Sequence, residues 1–279
     1  MKIQYDTHLH SEFSMDSQTP ISEQIDQAIK LGLSGLCFTD HNDFGFPLDQ
    51  CPGHDTNPFI LDVDKYISTI KKEQRNNRNL DIAIGVECGL QTDVDVIEAN
   101  KKLCDNPAFD QVIGSIHLID KKDPYEKDCW KNADPHTLIK RYFTSTLQNI
   151  MIFSNFNILG HLDYAVRYKP ADFQYDPKNY MEITDEIMKV IIKKDIALEV
   201  NTAGIYRAKK MGDRIPNPHP SFIQRYFELG GKLISIGSDA HTSDVLAADF
   251  TYVADLLTDI GFTEYVTYKR RLPILHPLT

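Results

Sequence analysis

"KLISIGSDAH", residues 232–241, reads as a buried strand that runs into two metal-donor side chains, Asp239 and His241. The apolar part is short and isoleucine-containing, and follows a helical stretch that stops at Gly230, which favours strand over helix. Asp239 and His241 stand at i and i+2. The same spacing opens the chain, in "DTHLH" at 6–10, with His8 and His10. On a strand, side chains at i and i+2 share a face. A closed barrel sets the first and last strands side by side and so gathers both pairs at one end. An open doubly wound sheet need not. The two ends of the sequence therefore favour a closed βα barrel.

Between them, β-like runs alternate with helical periodicity. Strands are expected at 2–5, 35–39, 80–88, 109–117, 156–161, 196–202 and 232–240. Helices are expected at 20–32, 62–76, 93–104, 135–154, 178–194, 220–230 and 243–260. A polar stretch rich in Gly, Pro and Asp fills 42–58. Strands separated by helical crossovers imply a parallel sheet.

Residues able to bind metals recur at the strand ends. His8 and His10 follow the first strand, His41 the second, Glu87 closes the third, His117 the fourth and His161 the fifth. Asn201 closes the sixth, and Asp239 and His241 follow the seventh. Six of the ten histidines fall at such ends. In parallel α/β folds that edge is where sites are built. Mixed His and carboxylate donors suit Zn(II), Mn(II) or Fe(II), and the lack of Cys donors speaks against a closed structural zinc site.

Composition narrows the function. The formal net charge of -10 disfavours a nucleic-acid partner. No run of 18 apolar residues marks a membrane span, and "MKIQYDTHLH" lacks the apolar stretch of a signal peptide, so a cytoplasmic protein is expected. The five cysteines, Cys37, Cys51, Cys88, Cys104 and Cys129, form no CxxC and read as reduced thiols. Oligomeric state is left open.

The motifs "DTHLH" (6–10), "FTDHN" (38–42), "GVE" (85–87), "GSIH" (114–117), "GHLD" (160–163) and "GSDAH" (237–241) resemble the PHP family of phosphoesterases, over nearly the whole chain. Within it the sequence is most similar to the stand-alone histidinol-phosphate phosphatase branch. The resemblance implies a distorted (β/α)7 barrel, a single domain over 1–279, with three divalent metal ions at the C-terminal ends of the strands. It implies a first metal on His8, His10, Glu87 and Asp239. The second would lie on Glu87, His117 and His161, with Glu87 bridging. The third would lie on Asp16, His41 and His241. Asp16 stands where other members carry a histidine.

The implied activity is metal-dependent phosphomonoester hydrolysis of a small molecule, L-histidinol phosphate, as in histidine biosynthesis, with a hydroxide between two metals attacking phosphorus. Three divalent ions outweigh the carboxylates of Asp16, Glu87 and Asp239, so an acidic chain still offers a phosphate a positive pocket. Arg167 and Arg207, after the fifth and sixth strands, are candidates for the phosphate grip. Asp239 or His241 is expected to protonate the leaving alkoxide. Two other readings stand beside this one: a phosphoesterase for a nucleotide or phosphotyrosine, and a non-catalytic metal-binding regulatory domain. Asp6 is expected to orient a ligating histidine, Asp43 and Asp163 to meet a substrate ammonium, and Trp130, Tyr206 and the 42–58 loop to line the pocket. His54, His136, His219 and His276 read as ordinary surface residues.

Overall fold

The computed structural model describes residues 3–208 and 215–278. Ten strands are described: β1 (Tyr5–Leu9), β2 (Gly35–Phe38), β3 (His41–Asn42), β4 (Asp81–Gly89), β5 (Gln111–Ser115), β6 (Ile158–Leu159), β7 (Ala197–Asn201), β8 (Ile234–Gly237), β9 (Glu264–Lys269) and β10 (Leu272–Pro277). The helices are α1 (Ile21–Leu31), α2 (Val63–Asn76), α3 (Val94–Cys104), α4 (Lys127–Trp130), α5 (Pro135–Ile152), α6 (Met181–Lys193), α7 (Ala203–Ala208), α8 (Pro220–Glu228) and α9 (Phe250–Ile260).

Seven strands pair in parallel in the order β1-β2-β4-β5-β6-β7-β8, with the short β3 added beside β4. The ring closes at a seam between β1 and β8, made by Asp239 N–H to the His8 carbonyl (2.7 Å) and His10 N–H to the Ala240 carbonyl (2.9 Å). This is the (β/α)7 barrel that the sequence implies. It is distorted where β6 shrinks to two residues and where the β1 register shifts between Asp6 and Leu9.

The outer layer follows from helical periodicity. α9 buries Phe250, Val253, Ala254 and Leu257, and α6 buries Thr184, Ile187, Met188 and Ile191, each at the i, i+3, i+4, i+7 spacing of one helix face. Asp62 and Asp134 cap α2 and α5 through backbone N–H groups, and Gly32 ends α1 in the left-handed region at φ 71°.

The expected first strand at 2–5 is displaced: β1 covers the "DTHL" motif, and residue 2 lies outside the described residues. Asp6, Thr7 and His8 are fully or almost fully buried, because the barrel interior near the site is polar. Thr7 Oγ1 meets Ser235 Oγ at 2.8 Å, and Gln111 Nε2 donates to the Thr7 carbonyl at 2.6 Å.

A C-terminal hairpin, β9–β10, extends past the last expected helix. It crosses the N-terminal end of the barrel, where Val266 and Tyr268 pack with Ile113, Ile158 and Ala197. Its turn is tied to Asp110 through Arg270 N–H (3.0 Å) and Arg271 N–H (2.8 Å). Among the described residues no helix is long and apolar enough to cross a membrane.

Candidate metal centre

The strand ends converge as the closed ring requires. Glu87, fully buried at the end of β4, is the hub. Its Oε1 lies 2.9 Å from His161 Nε2 and 3.2 Å from His117 Nε2, and its Oε2 lies 2.9 Å from His41 Nδ1 and 3.4 Å from His8 Nε2. His10 Nε2 lies 3.2 Å from His8 Nε2 and 3.3 Å from Asp239 Oδ1. At the mouth, Asp16 Oδ2 lies 3.0 Å from His241 Nε2 and 3.6 Å from His41 Nε2. All nine residues singled out as metal donors therefore meet in one place.

The donor set fits divalent ions. Two donors about 2.1 Å from one ion, at right or tetrahedral angles, sit about 3.0–3.4 Å apart, which is the spacing seen here. Proton bookkeeping points the same way. Ser14 spends its hydroxyl proton on Asp40 Oδ1 (2.7 Å), so its oxygen accepts from His10 Nδ1–H (3.0 Å). His8 Nδ1–H donates to Glu199 Oε1 at 2.6 Å. Burial alone would lower His8, but Glu199, Glu87 and Asp239 outweigh it and hold it well above the ordinary histidine value, so its Nε2–H faces the lone pair of His10 Nε2; a bound cation would take that proton's place between the rings. Burial, with His241 and His41 alongside, pushes His10 well below the ordinary histidine value and keeps it neutral. Burial alone would raise the Glu87 carboxyl, but His8, His117 and His41 outweigh it and hold it well below the carboxylate range. Glu87 Oε2 and His41 Nδ1 are shut off from solvent and lie 2.9 Å apart without hydrogen-bond geometry. Such an approach is expected where one ion takes a lone pair from each.

His8, His10 and Glu87 are fully buried, while the other six donors, Asp16, His41, His117, His161, Asp239 and His241, line a cleft of about 550 Å³ walled by Phe59, Tyr125, Tyr164 and Tyr168 and by Asp123 and Glu126. Both expected arginines line it. Arg167 leaves the 3₁₀ turn Tyr164–Tyr168 and is nearly buried, with Nη1 on Asp239 Oδ2 (3.0 Å), Nη2 on Asn201 Oδ1 (2.7 Å) and Nε on Asn217 Oδ1. Arg207, on α7, is exposed and touches only the Tyr168 hydroxyl, at 3.2 Å, among the bonds described.

Residues 6–203 match the PHP domain family. The chain belongs to that family. A probable histidinol-phosphatase of Clostridium acetobutylicum is 33% identical, covering 88% of this chain and 89% of that one. The histidinol-phosphatase of Lactococcus lactis is 30% identical over 95% of this chain and 94% of its own. A crystal structure of histidinol phosphate phosphatase from Lactococcus lactis, complexed with zinc, L-histidinol and phosphate, superposes with a TM-score of 0.84 at 29% identity, covering 97% of this chain and 98% of that one.

Several readings of this PHP chain need correction. Asp6 touches no imidazole, but it does accept from the backbone N–H of His8 (3.3 Å), along with Ser238 N–H (2.9 Å) and Ala247 N–H (3.0 Å). Asp163 is buried away from any ammonium, holding Asn217 Nδ2 (2.6 Å) and His219 N–H (2.9 Å). Asp43 reaches the cleft, but both its oxygens sit 3.1 Å from His117 Nδ1. Trp130 is buried in the core, its Nε1 on the Pro124 carbonyl at 2.8 Å. Tyr206 holds the Asp239 carbonyl at 3.0 Å. Of the four remaining histidines, only His54 is exposed; His136 bonds the Tyr180 hydroxyl, His219 caps α8, and His276 stacks on Tyr265.

Two functional partners gave no sequence signal as such. Glu199 hides in the strand run "IALEVN", and Asn217 follows a stretch with no clear periodicity. Their only trace was a charge inside an apolar strand and an Asn-Pro pair. With Glu199 and Asp43 counted, the buried carboxylates outnumber those expected, so the positive surplus of a loaded site is smaller than the sequence suggested.

Proposed function

We propose that the chain is a metal-dependent phosphomonoesterase that hydrolyses L-histidinol phosphate to L-histidinol and phosphate. One observation carries this reading: nine metal donors form one cluster, and six of them share the lining of a single cleft with two arginines. His8, His10, Glu87 and Asp239 would hold one ion, Glu87, His117 and His161 a second, and Asp16, His41 and His241 a third. Zn, Mn or Fe suits these donors. Such ions, when bound, supply a water that ionises near neutral pH and neutralise charge on the phosphoryl oxygens.

The chain's own groups do the rest. Arg167 is preset by Asp239, Asn201 and Asn217 to face the phosphate, and Arg207 closes on it from the exposed wall. Both Asp239 oxygens are engaged, one by Arg167 and one by His10, and both His241 nitrogens are too, Nε2 by Asp16 and Nδ1 by the Asp239 carbonyl, so the leaving alkoxide takes its proton from water in the cleft. The aromatic and acidic wall suits a cationic alcohol that carries an imidazole ring. The five free, buried cysteines support a reducing, cytoplasmic setting.

The test is turnover of L-histidinol phosphate beside a panel of nucleotides, phosphotyrosine and sugar phosphates, with metal content measured on the same sample. L-histidinol phosphate should lead in kcat/KM. Equal rates across the panel would overturn the substrate, and no turnover by metal-loaded protein would overturn the activity.

A further inference from the structure

Glu199 is the one fully buried carboxylate on β7, and it touches the centre without being among the nine donors. Its Oε1 takes the His8 Nδ1–H at 2.6 Å. Its Oε2 accepts from His161 N–H at 2.7 Å and from Asn201 Nδ2 at 3.2 Å. Asn201 passes the contact on: its Nδ2 also lies 3.3 Å from Asp239 Oδ2, and its Oδ1 takes Arg167 Nη2. The space around it is cut to fit. A Cβ on Gly237 would come within 2.8 Å of Glu199 Oε1 and 2.3 Å of His8 Cβ, so only glycine lets the two approach on this side. A buried carboxylate is costly unless its charge is answered. Here the answer is the imidazole it holds and, through that ring, the cation beyond it.

We propose that Glu199 is a positioning residue that fixes His8 with Nδ1–H inward and Nε2 toward the donor cluster, and so sets the affinity of the first metal site. A carboxylate behind a ligating histidine locks the tautomer and makes the ring a stronger donor. The inference rests on the metal-centre reading above.

The experiment measures zinc affinity by competition with a chromogenic chelator, on purified protein stripped and reloaded. Wild type, Glu199→Gln, His8→Ala and the double variant form a cycle. Glu199→Gln should weaken one equivalent by roughly 10- to 100-fold. In the His8→Ala background the same change should cost less than about twofold, because Glu199 acts through His8. A buried residue that only supported the fold would cost the same in both backgrounds, and that result would overturn the proposal. So would a Glu199→Gln affinity equal to wild type. Should Glu199→Gln fail to fold, Glu199→Asp, which keeps the charge one methylene short, must show a smaller loss with the same dependence on His8; additive losses again overturn it. Wild-type protein that takes up no zinc would sink the metal-centre reading and this role with it. Wild type that binds zinc beside an unaffected Glu199→Gln would sink the role alone.

Discussion

Arg167 and Arg207 were equal candidates in the sequence, but their surroundings differ. Arg167 is buried and balances Asp239, whereas Arg207 is exposed and, among the bonds described, meets the Tyr168 hydroxyl. Arg207→Ala should lower kcat/KM by roughly 10- to 150-fold, the effect of one lost charged hydrogen bond. Arg167→Ala should cost more, since it also strips Asp239 of its partner. Steady-state kinetics decide, and equal losses would mean the Asp239 contact adds nothing. Glu87 and Asp16 separate in the same way. Glu87 lies within 3.6 Å of five histidines, so Glu87→Ala should release about two metal equivalents and leave almost no turnover. Asp16, at the mouth with His41 and His241, should on replacement by Ala lose about one equivalent and keep some activity. Elemental analysis beside kinetics checks both; full metal content in Asp16→Ala would make Asp16 a turn residue. Eight of the nine donors were legible because few residue types bind such ions and each stood at a strand end, whereas Asp16, in the loop after β1, was reached only through the family resemblance. Glu199 was not, because nothing in a sequence tells a buried charge from a misplaced one until its partner, 191 positions away, is known.

At the scale of elements, legibility followed hydrophobicity. Six of the helices and the apolar strands β2, β4, β5, β7 and β8 lie close to where periodicity puts them, whereas α9 starts seven residues later than expected and the short α4 and α7 were not read. β1 was read too early because its inward residues are Asp, Thr and His, which the apolar pattern cannot register as interior. The β9–β10 hairpin was missed because its turn is Arg270–Arg271, both at positive φ (49° and 66°), where Asn-Gly or Gly is usual. The turn is held instead by Asp110 and by Arg271, which reaches the Cys104 and Asn155 carbonyls at 3.0 Å each. Tyr268 anchors the hairpin in the barrel floor, with its hydroxyl on the Asn157 carbonyl at 3.3 Å. Tyr268→Ala should destabilise the protein by about 3 kcal/mol in urea unfolding, through the lost ring and the cavity it leaves. Its metal content should not change, since the floor and the centre are at opposite ends of the barrel. A stability equal to wild type would mean the hairpin is an ornament.

For the whole molecule, the centre is both catalyst and clasp. Ions that bind the folded chain alone stabilise it by mass action, by about 4 kcal/mol at a free concentration a thousandfold above Kd. Prolonged chelation should therefore abolish phosphatase activity and lower the melting temperature together, and added Zn(II), Mn(II) or Fe(II) should restore both. Calorimetry beside activity tests this; full activity in protein shown by elemental analysis to be metal-free would rule it out. A larger groove of about 700 Å³ runs along the outer flank of α5, but it holds none of the donors, and its Lys121 and Arg141 are paired with Asp93 and Asp120.

The seam between β1 and β8 has a consequence for birth as well as for chemistry. His8 and His10 leave the ribosome first, and their backbone partners, Asp239 and Ala240, come more than two hundred residues later. At about 5–20 residues per second, the gap lasts on the order of 10–50 s. Throughout it the first strand has one bare edge, open to any strand that passes. The nascent chain is exposed to mispairing for as long as its final strand is unmade, and the metal-binding pocket cannot be completed before the ring is.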